Sequence, residues 1–211
     1  MRIRTGADVS CLRLHRGDRR RLLRRVRRSP GGAAPEAKQV RALSADASMT
    51  APPTAERRLV SVLFADLVGF TTLSESRDPE EVRDLLSRYF DTCRTVISRY
   101  GGTVEKFIGD AVMAVWGAPV AQEDDAERAV RAALEVVQAV GALGAEVGAL
   151  DLAARAGVAT GEAAVSLGAT GEGMVAGDLV NTASRIQSVA TPGTVLVGEA
   201  TMHATSVTIE A

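Results

Sequence analysis

The sequence predicts an α+β protein with a ferredoxin-like βαββαβ fold, in which helices pack on one face of an antiparallel-rich sheet. Two observations lead to this class. Apolar runs with strand character alternate with stretches of helical period in that order, and the two middle strands are joined by a two-residue turn, which only antiparallel neighbours allow. We expect this domain to occupy residues 56–211, behind a tail.

The first two elements have clear boundaries. The run RLVSVLFA at residues 58–65 is apolar and β-branched, which predicts a buried strand that ends at Asp66. A helix should follow, because Asp78 and Pro79 form an N-terminal capping sequence ahead of apolar residues at helical spacing. The pair of glycines that starts at Gly101 predicts its end.

The remaining elements follow from the same patterns. A hairpin is predicted over residues 103–116 with Gly109 and Asp110 at its tip, since a Gly-Asp pair favours a two-residue turn. After it the sequence predicts a helix at 125–140, strands at 152–159 and 163–167, a helix at 178–189 and a strand at 194–197.

The net charge of −1 over 211 residues conceals a division of charge along the chain. Residues 1–48 contain 13 basic and 4 acidic residues, a net +9, whereas residues 49–211 contain 12 basic and 22 acidic ones, a net −10. No stretch of about 18 apolar residues occurs, so we expect no membrane span. Two cysteines are too few for a disulfide framework, which favours a cytoplasmic location.

Residues 1–55 are predicted to be a disordered Arg-rich tail followed by a Pro-rich lead-in. A basic tail can contact nucleic acid or anionic lipid through phosphate charge. This one lacks interleaved aromatic residues, so no nucleic-acid partner is expected and a solvated segment is the simpler reading. Translation from Met49 would remove the basic excess altogether.

Two aspartates are placed where phosphoryl-transfer chemistry can use them. Asp66 ends the first strand, and Asp110 lies at the hairpin tip, which a ferredoxin-like sheet sets beside that strand. Paired carboxylates next to a loop with free backbone N–H groups, here formed by Gly69, Phe70 and Thr71, are typical of sites that hold two Mg²⁺ or Mn²⁺ ions. Spacing alone also allows the alternative that one aspartate only stabilises a turn and the other only caps a helix, with no metal bound.

A second polar group lies on the helix predicted at 178–189. Asn181 and Arg185 are four residues apart, so they share one helical face. An amide beside a guanidinium suits a ribose oxygen and a phosphate charge. The alternative is an exposed polar face without a ligand.

Four segments form an ordered series of motifs. They are FADLVGFTTLSE at 64–75, EKFIGDAVMAVWG at 105–117, GVATGEAAVS at 157–166 and GDLVNTASRIQ at 177–187. In order and spacing they resemble the class III nucleotidyl cyclase catalytic domain, and the resemblance covers roughly residues 57–205. Four ordered motifs are far more specific than any one of them.

The resemblance implies a metal site. Asp66 and Asp110 would bind two divalent ions, Mg²⁺ or Mn²⁺, with the backbone carbonyl of Leu67 as a further ligand. It also implies a reaction in which the ribose 3′-oxygen of ATP attacks the α-phosphate, giving 3′,5′-cyclic AMP and pyrophosphate.

The resemblance also implies how the nucleotide is held. Lys106 matches the family lysine that reads the adenine edge, Asn181 the residue that orients the ribose, and Arg185 the one that stabilises charge on the α-phosphate. Met174 departs from the pattern, because many adenylyl cyclases of the family carry an aspartate there for the adenine amino group. GTP is therefore kept as a second candidate substrate.

In this family the metals come from one subunit and the Asn/Arg pair from the other, so the resemblance implies a homodimer with two composite sites. No lysine follows Lys106, so the closing hairpin that carries a phosphate-binding lysine is expected to be missing. Regulatory domains would lie outside this chain. The alternatives are a cyclase-like module that binds nucleotide or dimerises without turnover, and another two-metal enzyme such as a diguanylate cyclase, for which no GGDEF-like hairpin is present.

Overall fold

A computed structural model describes residues 10–14, 22–25, 55–166 and 175–209. The elements are β1 Ser10–Leu14, β2 Leu22–Arg25, β3 Ala55–Val68, α1 Phe70–Ser76, α2 Pro79–Arg99, β4 Thr103–Ile108, β5 Ala111–Trp116, α3 Asp125–Glu146, β6 Ala153–Ser166, β7 Val175–Ala176, α4 Asp178–Ser188, β8 Val195–Val197 and α5 Glu199–Ile209. These elements confirm the α+β class.

One mixed sheet organises the described residues. The strand order is β2-β1-β8-β6-β3-β5-β4, and the short β7 pairs with β6 outside this path. Strand β3 lies at the centre, antiparallel to β6 on one side and to β5 on the other. Among the described strands only β6 and β8 run parallel to each other, so the sheet is antiparallel-rich, as predicted.

Helices cover both faces of the sheet, which corrects the expectation that they lie on one. Leu63, Ala65 and Leu67 of β3 belong to the core that includes residues of α2 and α3, whereas the alternate residues of β3 pack with α4. The cause is visible in the sequence: the RLVSVLFA run is apolar at successive positions, and such a strand must be buried on both faces.

Helix α2 begins and ends as the sequence predicts. The side chain of Asp78 accepts a hydrogen bond from the backbone N–H of Glu80 at 2.9 Å, and Pro79 occupies the first turn. After the helix, Gly101 has a φ of 73°, and Gly102 lies where an added Cβ would be 2.4 Å from the indole ring of Trp116. That buried indole donates from Nε1 to the carbonyl of Tyr100 at 2.9 Å. The two glycines therefore stop the helix and admit Trp116 beside it.

Several boundaries differ from the prediction. The two strands expected at 152–159 and 163–167 are one strand, β6, because its partner β3 is equally long and pairs with it through Gly161. Helix α3 continues beyond residue 140 to Glu146, since Leu143 and Gly144 pack against the chain that leads into β6. The sequence patterns did not predict helices α1 and α5.

Two segments inside the predicted tail are strands. β1 and β2 pair with each other, and β1 pairs with β8, whose outer edge would otherwise offer unpaired backbone groups. The structure differs from a disordered arm in these two segments. The rest of residues 1–54 lies outside the described residues, and there the disordered tail and the start at Met49 stay predictions.

The part of the chain that the structure describes contains no helix with the length and apolarity to cross a membrane.

Gly157 of β6 sets how closely α4 approaches the sheet. A Cβ at this position would lie 2.3 Å from the backbone nitrogen of Gln187 and 2.8 Å from the carbonyl oxygen of Ala183. Backbone atoms cannot move aside as a side chain can, so any larger residue must displace the helix. The position of α4, and of every residue on it, therefore depends on this glycine.

Gly157→Ala should lower the free energy of unfolding by about 1–3 kcal/mol, because the methyl group overlaps the backbone of α4. Gly141→Ala is the matched control, since Gly141 lies inside α3 with no atom within 4 Å of an added Cβ. There the same change should raise stability by about 0.5–1 kcal/mol through helix propensity. Urea unfolding of both variants measures the difference, and equal effects would contradict the close α4 contact.

Candidate active site

Asp66 lies near the end of the central strand, where three strands meet. In the β3–β6 ladder it is opposite Arg155, and in the β3–β5 ladder its neighbour Ala65 is opposite Val112. Its side chain is 20% exposed. The carboxylate therefore stands at the rim of the sheet with one side open.

Asp110 lies in the two-residue turn between β4 and β5, after Gly109, which has a φ of 63°. The register that pairs Val112 with Ala65 brings this turn beside the end of β3. Partial burial raises the pKa of Asp110 above its ordinary value of 3.8, and the negative charge of Asp66 raises it further, while its own backbone N–H and Arg155 lower it. The predicted juxtaposition of the two aspartates is thus present in the structure.

Two side chains that sequence reasoning missed hold Asp66 in place. Arg155 donates to Asp66 Oδ2 from Nη2 at 3.0 Å and from Nε at 3.3 Å. Gln187 of α4 donates to the same oxygen from Nε2 at 3.3 Å. The signals were available, because Gln187 ends the fourth motif and Arg155 lies two residues before the third.

A buried phenol lies close enough to the two carboxylates for their charges to affect its pKa. Tyr89 of α2 is fully buried, and burial raises the pKa of its hydroxyl well above 10.0, with smaller contributions from Cys93 and from the charges of Asp66 and Asp110. Burial also raises the pKa of the Cys93 thiol to about 12. Both groups therefore stay protonated at neutral pH, and neither adds charge to the site.

Asn181 and Arg185 are both exposed on α4, and they share one face as predicted. Gln187 is two residues after Arg185, which turns the two side chains about 200° apart around the helix axis. Since Gln187 reaches Asp66 of its own chain, Arg185 points away from that aspartate. The aspartate pair and the Asn/Arg pair therefore occupy different surfaces of one chain.

Most of the remaining predicted residues follow Asp66 directly along the chain, and one lies on β4. Leu67 follows Asp66 in β3, with its side chain in the core, and Gly69 has a φ of 84° just before α1, which contains Phe70 and Thr71. Lys106 lies half-buried on β4, opposite Met113 of β5. Met174 lies outside the described residues.

The donor set at this rim suits hard divalent cations. Carboxylate oxygens are the ligands that Mg²⁺ and Mn²⁺ prefer, and the two aspartates present them at adjoining strand ends. Among the described residues no group of three or more His, Cys, Asp or Glu forms a metal cluster. A metal bound here would therefore rely on two carboxylates, backbone oxygen and the substrate.

Fold and site together define a class: an antiparallel-rich sheet that presents two aspartates at adjoining strand ends, as metal-dependent phosphoryl-transfer domains do. Comparison with known families makes this specific. The model of the adenylate and guanylate cyclase catalytic domain matches residues 53–210. The chain belongs to this family, as the four motifs predicted.

Both adenylyl and guanylyl cyclases are similar to the chain. Adenylate cyclase 1 of Rhizobium meliloti is 41% identical over 139 residues, which are 63% of this chain and 21% of that protein. The adenylyl cyclase CyaB of P. aeruginosa superposes with a TM-score of 0.68 at 32% identity, over 74% of this chain and 84% of that one. The guanylyl cyclase Cya2 superposes with a TM-score of 0.65 at 37% identity, over 71% of this chain and 79% of that one. The chain spans about a fifth of the length of the first of these relatives.

The raised pKa of Asp110 predicts a stability effect in metal-free protein. A carboxyl whose pKa is higher in the folded state than in the unfolded state contributes stability below its unfolded pKa and loses it as the pH rises through the folded value. Asp110→Asn, which stays neutral, should therefore melt at a higher temperature than the unsubstituted protein at pH 7. The advantage should shrink as the pH falls towards 3.8.

Thermal unfolding in the presence of a chelator at several pH values measures this. Asp84→Asn is the control, since Asp84 is an exposed aspartate of α2 with 75% of its side chain accessible. A melting temperature of Asp110→Asn that stays at or below that of the unsubstituted protein at pH 7 would contradict the raised pKa that burial and the charge of Asp66 give Asp110.

Proposed function

We propose that this chain is the catalytic domain of an adenylyl cyclase, which converts ATP to 3′,5′-cyclic AMP and pyrophosphate in cyclic-nucleotide signalling. The observation that carries the proposal is the β3–β5 register, which sets the turn with Asp110 beside Asp66 at the rim of a cyclase-family sheet. Two carboxylates whose charges act on each other are unfavourable in a metal-free fold and are useful for binding cations.

Asp66 and Asp110 are the proposed ligands of two Mg²⁺ or Mn²⁺ ions, with the backbone carbonyl of Leu67 as a third donor. When bound, these ions supply charge that lowers the pKa of the ribose 3′-hydroxyl and neutralises the phosphates. Gly69, Phe70 and Thr71 lie directly after the strand that carries Asp66, and we assign them to the phosphate side of the substrate.

The other residues orient and polarise the nucleotide. Asn181 fixes the ribose so that its 3′-oxygen faces the α-phosphate, and Arg185 donates to an α-phosphate oxygen as negative charge builds up there. The bond from the 3′-oxygen to phosphorus forms, the bond to the pyrophosphate oxygen breaks, and the hydroxyl proton leaves to solvent. This assignment requires no side chain as a general base.

The geometry of α4 supports a homodimer. Arg185 and Asn181 are exposed and turned away from Asp66 of their own chain, so a single chain presents two incomplete half-sites. Two chains related by a twofold axis can bring the aspartates of each against the Asn/Arg pair of the other. Each dimer then contains two complete sites.

Base selection in this proposal depends on Lys106 and Met174. Lys106 is assigned to the adenine edge, and Met174 cannot accept a hydrogen bond from the adenine amino group as a carboxylate does. The similar structures include adenylyl and guanylyl cyclases, which is why a cyclase that uses GTP as well as ATP is the second candidate. A module that binds nucleotide or dimerises without turnover is the outcome that a failed assay would favour.

The first test is cyclic-nucleotide production by the purified chain with ATP or GTP and Mn²⁺. Cyclic AMP should form, and Asp66→Ala should abolish it because one metal ligand is lost. Asp84→Ala, at an exposed position on α2, should retain full activity. Circular dichroism must show both variants folded. No product from a folded dimer would overturn the proposed activity.

The second test mixes two inactive variants. Arg185→Ala should lower turnover by about 10²–10³-fold because its contact strengthens in the transition state. If the sites are composite, an equal mixture of Asp66→Ala and Arg185→Ala should recover about a quarter of the original activity, since half of the dimers are mixed and each holds one intact site.

A mixture of Asp66→Ala with Asp110→Ala is the matched control. Both changes affect the same half-site, so no arrangement of the two chains restores a complete one. Failure of the first mixture, with subunit exchange verified, would show that each chain builds its own site.

A further inference from the structure

Arg155 stands against the aspartate that the proposed function assigns to metal binding. We infer that Arg155 is a positioning residue that holds Asp66 in the metal-free chain and weakens its binding of divalent cations by charge. The inference rests on the proposed metal role of Asp66 and Asp110. A metal ion that binds Asp66 therefore has to compete with the positive charge of Arg155.

The two side chains are held together by the sheet. Asp66 and Arg155 face each other in the β3–β6 ladder, and two guanidinium N–H groups donate to Oδ2 at 3.0 and 3.3 Å. A third donor, Gln187 Nε2, reaches the same oxygen at 3.3 Å. Among the described residues all three side-chain donors to Asp66 go to Oδ2, which leaves Oδ1 as the oxygen that can bind a metal without displacing them.

Arg155 is also anchored on its other side. Its Nη1 donates to the carbonyl oxygen of Ser188, the last residue of α4, at 3.2 Å. The side chain is 32% exposed, and its guanidinium is held by hydrogen bonds to both Asp66 and the end of α4. The positive charge therefore remains beside the site during binding.

A fixed positive charge acts on a metal differently from a neutral donor. Arg155 offsets the negative charges of two neighbouring carboxylates in the metal-free protein, and the same charge repels an approaching divalent ion. Gln187 contributes a hydrogen bond without charge. Metal binding then depends on further negative charge, which a nucleoside triphosphate brings with it.

The test measures Mn²⁺ binding to the full chain without nucleotide, through the paramagnetic resonance signal of free Mn²⁺, together with the melting temperature in chelator. Arg155→Gln should bind Mn²⁺ about tenfold more tightly than the unsubstituted chain, because the competing charge is gone. Its metal-free form should melt several degrees lower, since two carboxylates lose their counter-charge. If Arg155→Gln fails to fold, Arg155→Met is measured in its place, and the same changes in Mn²⁺ affinity and melting temperature are expected.

Two matched variants separate charge from hydrogen bonding. Arg155→Lys keeps the charge and should change Mn²⁺ affinity by less than about threefold. Gln187→Met removes only a neutral donor from the same oxygen and should change it by less than about twofold. Unchanged or weaker Mn²⁺ binding by both uncharged Arg155 variants would overturn the inference.

Asp66→Asn distinguishes failure of this inference from failure of the proposed function. If the unsubstituted chain binds Mn²⁺ and Asp66→Asn does not, the metal site stands and only the role of Arg155 is under test. If the two chains bind Mn²⁺ equally, Asp66 is not a metal ligand, and both the proposed function and this inference fall.

Discussion

The structure depends on the long antiparallel ladder between β3 and β6, in which 14 residues of each strand pair without a break in register from Ala55 opposite Ser166 to Val68 opposite Ala153. This one register puts Asp66 opposite Arg155 and sets Gly157 under α4. A slip of one residue would send every side chain of β3 to the other face. The charge arrangement of the site and the two cores are therefore fixed by the same set of backbone hydrogen bonds.

Small residues make this arrangement possible. The protein has only 3% aromatic residues, and β6 is rich in alanine and glycine, so a helix can approach the sheet closely. Because α4 lies against Gly157 of β6, the amide of Gln187 reaches the carboxylate of Asp66 on the neighbouring strand β3. A bulkier β6 would hold α4 farther out, and Asp66 would lose a donor.

Much of the fold and part of the site were predictable from local patterns. The cap at Asp78, the glycine stop at Gly101 and the hairpin tip at Asp110 all depend on short-range chemistry, and the structure has each of them. The placement of α4 on the second face, and the contact of Arg155 and Gln187 with Asp66, arise from residues 89 and 121 positions apart, which no local pattern encodes. The continuous apolar run in β3 did contain the signal for two covered faces. The metal, base and phosphate roles stay proposals, because they concern ligands and a partner chain.

Helix α4 has two tasks that face in opposite directions. On its inner side Gln187 donates to Asp66, and its last carbonyl, that of Ser188, accepts from Arg155. Its outer side presents Asn181 and Arg185. In the proposed homodimer the inner side serves the site of its own aspartates, and the outer side serves the site of the partner. A rigid helix cannot shift one side without the other. Arg155 joins the two sides, since it donates both to Asp66 and to the last carbonyl of α4. In the proposed homodimer, the charge beside one pair of aspartates is therefore tied to the helix that presents Asn181 and Arg185 to the other.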